Sequence, residues 1–339
     1  MKEKFGVLPT GEEAFLYTIS CGKITASITN CGAALVKLLV PDEKGELADV
    51  VLGCDDVSGY FPGGSFLGAT VGRNANRVGG AAFTMNGQRI SLTPNENGNN
   101  LHSGPASFNL RLWRVEKHTP ASITLALTSP HGDQGFPGNA EIRVTYTLEP
   151  PATLKISYDA VADRDTVFNM TNHSYFNLAG HDKPAAAMEQ LLSMPARFFN
   201  PDDEESIPTG ELRSVAGSPM DFRTPKPIGR DINEDYDALN LQGGFDHNWE
   251  VFCTPCATLE DPESGRVMSV YTDCPGIQFY AGNFLDNEPG KGGIVYPKRS
   301  GICLETQYYP DSVHHPEWPQ PIVRAGERYH SETIYRFTV

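Results

Sequence analysis

Positive charge is scarce in this 339-residue chain. It carries 27 Lys and Arg against 42 Asp and Glu, a formal net charge of −15. A nucleic-acid binder needs clustered cations to neutralise phosphates, and a polybasic membrane anchor needs them beside the surface, so both classes are disfavoured. No stretch approaches the roughly 20 apolar residues of a membrane span. The charged start Met1-Lys2-Glu3-Lys4 is not followed by an apolar run, so no signal peptide is expected and the expected compartment is the cytoplasm. Seven scattered cysteines, an odd number, fit reduced thiols rather than a disulfide framework. Cys253 and Cys256 form one C-x-x-C, but no second Cys or His pair completes a zinc set, so no metal site is expected. Helical periodicity is also missing: no 3.6-residue pattern runs three turns without Gly or Pro. Short helices are expected only around Asn233 to Leu241 and Ala185 to Leu192.

Turn formers and alternation are plentiful. There are 33 glycines and 26 prolines, above the usual share of roughly 12%. Period-two runs recur at 23–29, 122–128, 141–148, 153–158, 266–271 and 333–339. In 141–148, Ile142, Val144, Tyr146 and Leu148 fall on one face, with charge and threonine on the other. The run at 153–158 follows Pro150-Pro151 and reads as its antiparallel neighbour. Asn86-Gly87 between two strand-like runs predicts a type I′ hairpin, because both central positions need positive φ. At roughly 150 residues per domain the length suggests two domains. The absence of a linker, a charge shift or a fixed repeat favours one all-β domain over 1–339, an antiparallel β-sandwich with few short helices.

A few polar residues stand out. His118, His131, His181 and His330 have loop-like neighbours and read as exposed. His102, in a polar Gly-containing loop, and His173, among Asn, Thr, Ser and Tyr, read equally as structural or functional imidazoles. The run Asp202-Asp203-Glu204-Glu205 reads as a solvated loop. Glu305 follows Ile302-Cys303-Leu304, so partial desolvation should raise its pKa toward that of a general base; a surface strand Glu is the alternative. Asp246, in a Gly-rich loop flanked by aromatics, suits a sugar hydroxyl. Arg73 and Arg77 lack the spacing of a phosphate-binding loop. Arg73 reads as a structural Arg against carbonyls, and Arg77 as a donor to vicinal hydroxyls.

Six motifs together resemble the aldose 1-epimerase (galactose mutarotase) family: GRNANR at 72–77, NNLHSG at 99–104, TNHSYFNLAG at 171–180, GFDHN at 244–248, PGIQFYAGNFLD at 275–286 and SGICLETQ at 300–307. They spread from about Phe66 to the C-terminus. The resemblance implies a galactose mutarotase-like supersandwich and interconversion of α and β aldohexoses such as galactose and glucose without a cofactor. It implies Glu305 as base and His173 as acid. It puts sugar contacts at Asn76, Arg77, His102, Asp246 and Gln278, with Ser174, Tyr175 and Phe176 lining the pocket. The loop after His102 reads Ser-Gly where this family commonly has Gly-Gly. The expected partner is a monosaccharide, with no nucleic acid or membrane, in a monomer or homodimer. Three other readings compete. A glycoside hydrolase would use Asp246 and Glu305 as its carboxylate pair. A hexose-6-phosphate epimerase would need extra cations in the pocket. A sugar-binding module would need no matched acid and base.

Overall fold

The computed structural model describes residues 1–61 and 64–339. Three antiparallel sheets dominate it. A nine-stranded sheet runs in the order Arg114–His118, Ser122–Ser129, Ala140–Glu149, Thr153–Ala162, Arg328–Thr338, Val267–Thr272, Ala257–Glu260, Leu191–Ser193 and Lys226–Pro227. A five-stranded sheet is built in sequence order from Lys2–Val7, Glu13–Cys21, Ile24–Thr29, Leu35–Pro41 and Leu47–Asp49. A six-stranded sheet runs Tyr175–Phe176, Ile302–Gln307, Gly276–Tyr280, Asp246–Glu250, Phe198–Asn200 and Arg213–Ser214.

Alternation sets which face each strand buries. Ala140–Glu149 alternates buried and half-buried without a break, and its partner Thr153–Ala162 holds register over the whole length. Ile142, Val144, Tyr146 and Leu148 enter one core cluster with Ile24, Ala26 and Ile28 of the five-stranded sheet and Ile277, Phe279, Ile302 and Leu304 of the six-stranded sheet. Burying each large apolar side chain contributes about 1.5–3 kcal/mol. This cluster draws residues from Tyr17 to Phe337. The hairpin at Asn86-Gly87 forms as expected: Ala82–Met85 pairs with Gln88–Ser91, and the two turn residues have φ of 52° and 73°.

Helices are short, as expected. Residues 228–231 and 237–242 are α-helical. Gly243, left-handed at φ 62°, ends the second by donating its N–H to Leu239, and releases the chain into Asp246–Glu250. The expected helix at 185–192 is shorter and tighter: a 3-10 helix over Pro184–Glu189 gives way to the strand Leu191–Ser193. His118, His131 and His330 are exposed, but His181 is half-buried, because its Nδ1 is 3.0 Å from the Tyr296 hydroxyl. Among the described residues no helix is long and apolar enough to cross a membrane.

Candidate functional site

The central strands of the six-stranded sheet are buried on both faces. Every residue of Gly276–Tyr280 and Ile302–Gln307 is buried. Ile302, Leu304, Ile277, Phe279 and Trp249 point into the core. The intervening residues point the other way, and cross-strand pairing lines them up. Tyr175 pairs with Cys303, Cys303 with Tyr280, and Tyr280 with Asp246; in the next row Glu305 pairs with Gln278, and Gln278 with Asn248. These rows underlie a cleft of about 390 Å³ lined by Asn76, Arg77, His102, His173, Asp246 and Glu305, with Phe66, Tyr175, Tyr280 and Phe284 as aromatic walls. Widely separated motifs thus converge, as expected for a site assembled by register.

At its centre His173 Nε2 lies 3.7 Å from Glu305 Oε1. Glu305 is only 3% exposed, and its Oε2 has no hydrogen-bond partner among the described residues. Burial, with the nearby Asp246 charge adding to it, holds the Glu305 carboxyl well above the usual range, while Arg77 pulls the other way. Burial pushes the His173 imidazole down to about 4. His173 Nδ1 is 3.4 Å from the Cys303 thiol sulfur. His173, Cys303 and Glu305 each offer a donor atom within 4.8 Å of the other two, a group able to hold a metal ion.

His102 is held differently. The Asn76 backbone N–H donates to His102 Nδ1 at 3.1 Å, and the His102 N–H donates to the Asn76 carbonyl at 3.0 Å. A neutral ring that accepts at Nδ1 carries its proton on Nε2. Burial keeps the ring neutral, with His173 and Arg77 adding to the effect. Asn76 and His102 both adopt left-handed backbone, φ 58° and 48°, so reciprocal bonds fix two strained residues at the cleft. Ser103, also left-handed at φ 71°, accepts from the Asn74 N–H and donates to the Asn74 carbonyl through its hydroxyl. That is how this loop carries Ser beside His102.

Arg77 donates to both oxygens of Glu96, Nε at 2.5 Å and Nη2 at 3.2 Å. Gln278 Nε2 donates to Asp246 Oδ1 at 2.8 Å. Burial lifts the Asp246 carboxyl above the usual range, with Arg77 and Gln278 pulling it down. Gln278 therefore sits behind Asp246 instead of lining the cleft. Ser174 and Phe176 are also displaced from the expected lining, because strand alternation turns them away from the side of His173 and Tyr175. The Ser174 hydroxyl donates to Asn172 Oδ1, and Phe176 packs in the core with its ring 4.9 Å from that of Tyr335. Arg73 is structural: it donates to the carbonyls of Ser129, Pro130, Pro137 and Gly138. Cys253 is an exposed and Cys256 a buried free thiol.

Sequence reasoning passed over Glu96, Phe66, Tyr280 and Phe284. Phe66 lies 4.8 Å, ring to ring, from His102 and stacks on His173 at 5.8 Å. Tyr280 stacks on Phe284 at 6.1 Å. Tyr280 was findable, being two residues beyond Gln278 on the same strand face.

An antiparallel sandwich with a polar, aromatic-walled cleft over one sheet defines a β-sandwich protein with a carbohydrate-type site. The profile of the aldose 1-epimerase family matches residues 16–336, and the chain belongs to that family, whose named relatives are carbohydrate-acting isomerases. It is 40% identical to the galactose mutarotase of Mus musculus, over 99% of this chain and 97% of that protein. It is 35% identical to the aldose 1-epimerase of Escherichia coli K12, over 99% of each. A solved GalM/aldose epimerase homologue from C. elegans superposes with a TM-score of 0.88 at 32% identity, covering 96% of this chain and 99% of that one.

Proposed function

We propose that the cleft interconverts the α and β anomers of an aldohexose, galactose and glucose being the first candidates, with Glu305 as base and His173 as acid. The observation that carries this reading is the buried Glu305–His173 pair, 3.7 Å apart at the floor of the cleft. Glu305 takes the proton of the anomeric hydroxyl as His173 delivers one to the ring oxygen, and the C1–O5 bond breaks. Rotation about C1–C2 presents the other face of the aldehyde. The two transfers then run backwards and close the ring. Positioned acid–base groups contribute about 10²–10⁴-fold each. Asn76, Arg77, His102 and Asp246 hold the sugar hydroxyls, with His102 donating from Nε2; Tyr175 walls the cleft, and Gln278 orients Asp246.

Between the lowered His173 value and the raised Glu305 value the pair shares one proton. The arrangement with Glu305 ionised and His173 protonated has the same proton count as the arrangement with both neutral, so their ratio does not vary with pH. Below about 4, where His173 also protonates, the base is lost. Above the raised Glu305 value both groups are bare and the acid is lost. Rate against pH should be a broad-topped bell.

The phosphosugar reading is weaker, because Arg77 is the one Lys or Arg in the described lining and Glu96 already engages it. The largest of the core clusters draws residues from Tyr17 to Phe337, which supports one domain, and the lack of a membrane-spanning helix among the described residues is consistent with the cytoplasm. Polarimetry tests the activity: fresh α-galactose should equilibrate faster with the protein, and Glu305→Gln should remove most of that acceleration. An unaccelerated wild type would leave only sugar binding.

A further inference from the structure

We propose that His173, Cys303 and Glu305 form a site for a borderline-soft divalent cation of the zinc type, which plugs the floor of the cleft. Strand register builds it. Cys303 and Glu305 are alternate residues on one strand face, and Cys303 pairs with Tyr175, two residues beyond His173. The donor atoms lie within 4.8 Å of one another, and all three residues are buried. Cys303 Sγ is 3.4 Å from His173 Nδ1, and Glu305 Oε1 is 3.7 Å from Nε2. A second observation points the same way: the 3%-exposed Glu305, at the cleft lining, has an oxygen with no partner among the described residues.

Ligand chemistry selects the ion. Imidazole, thiolate and carboxylate are zinc ligands, while magnesium and calcium prefer all-oxygen sets. Zinc bonds of roughly 2.0–2.3 Å imply ligand separations of about 3.3–3.8 Å in a tetrahedron. Closing the group by about 1 Å through side-chain rotation meets that requirement. The cation takes one ring nitrogen, the thiol proton of Cys303 leaves to solvent, and the fourth position opens on the cleft. No electron transfer is involved. Three protein ligands with an open position is also the pattern of catalytic zinc, but here the ion would occupy the proposed acid and base together and so inhibit. The inhibition half rests on the function proposed above; the binding half does not.

The test uses the full chain, tag-free and washed with chelator. Cobalt should bind with one equivalent and give a thiolate charge-transfer band, and zinc should displace it. Cys303→Ala should abolish the band and weaken zinc at least tenfold. Glu305→Gln, which keeps the side-chain shape, should weaken zinc as well, and Cys253→Ser should leave binding intact. Saturating galactose should raise the apparent zinc Kd. Mutarotation should fall with zinc occupancy and return with EDTA. No stoichiometric binding, binding that survives Cys303→Ala, or binding lost in Cys253→Ser would overturn the site. Binding at Cys303 by a protein that never accelerates mutarotation would instead leave the metal site standing and sink the catalytic reading.

Discussion

The nine-stranded and six-stranded sheets bury their residues by different rules. In the nine-stranded sheet, Ala140–Glu149 alternates core and half-exposed positions, and Tyr158 supplies the sheet's one unpartnered buried side-chain polar atom among the described residues. In the six-stranded sheet the central strands are covered on both faces, and His247, Asn248, Gln278, Glu305 and Gln307 each have a buried polar atom without a partner among the described residues. Such groups cost about 1–3 kcal/mol apiece if left unpaired. The first sheet is built for stability. The second carries polar chemistry at a cost in stability, and its core-facing Ile302, Leu304, Ile277 and Phe279 offset that cost.

This division makes paired substitutions informative. Glu305→Gln should lower mutarotation by about 10²–10⁴-fold in a chelated buffer, while its melting temperature holds or rises, because a carboxyl that resists ionisation in the fold has been replaced by a neutral amide. Ile142→Ala should do the reverse: a loss of about 2–5 kcal/mol in denaturant unfolding, with kcat/KM of the folded protein unchanged. A stability loss in the first with activity retained, or an activity loss in the second with stability retained, would break the comparison.

Arg77→Met should raise the KM for galactose by about tenfold, the scale of one lost charge-assisted hydrogen bond. Because Arg77 lowers the Glu305 pKa, the alkaline limb of the rate profile should also move up. An unchanged KM would detach Arg77 from the sugar.

Acid should expose a further difference. His247 sits on the core side of the six-stranded sheet, its ring 5.8 Å from that of Phe199, and burial holds its pKa at about 3. The unfolded imidazole binds a proton near 6.5. The stability that neutral burial gives is therefore complete above 6.5 and lost as pH falls toward 3. Melting temperatures from pH 7 to pH 4 should drop less in His247→Gln than in the wild type; parallel curves would contradict this. The smallest effects belong to Ser174→Ala and Phe176→Leu. Both should leave KM within about twofold, because these side chains face away from the cleft, and Phe176→Leu should register in unfolding instead.

The sheet that alternates cleanly was the legible one. Ile142 to Leu148, the partner run at 153–158 and the Asn86-Gly87 hairpin follow from period and turn chemistry. The candidate cleft was legible in its motifs, which the fold brings together around Glu305 and His173, and Arg73 was legible as a structural residue against carbonyls. Pointing directions were harder. Within TNHSYFNL, the family resemblance implied a continuous lining at 174–176, but a strand sends neighbours to opposite faces. Glu96, Phe66 and Phe284 escaped because loops and close packing bring them to the cleft, and local sequence carries no signal of that. The His173–Cys303 contact depends on register between two strands more than a hundred residues apart, which periodicity alone does not set.

The central claim is that Glu305 and His173 work as one proton-sharing unit. A double-mutant cycle tests it most directly: mutarotation of fresh α-galactose by wild type, Glu305→Gln, His173→Asn and the double variant. Residues that act as a unit are grossly non-additive, so the double variant should lie within about threefold of the slower single variant. Losses that multiply, or near wild-type rates in either single variant, would contradict the account.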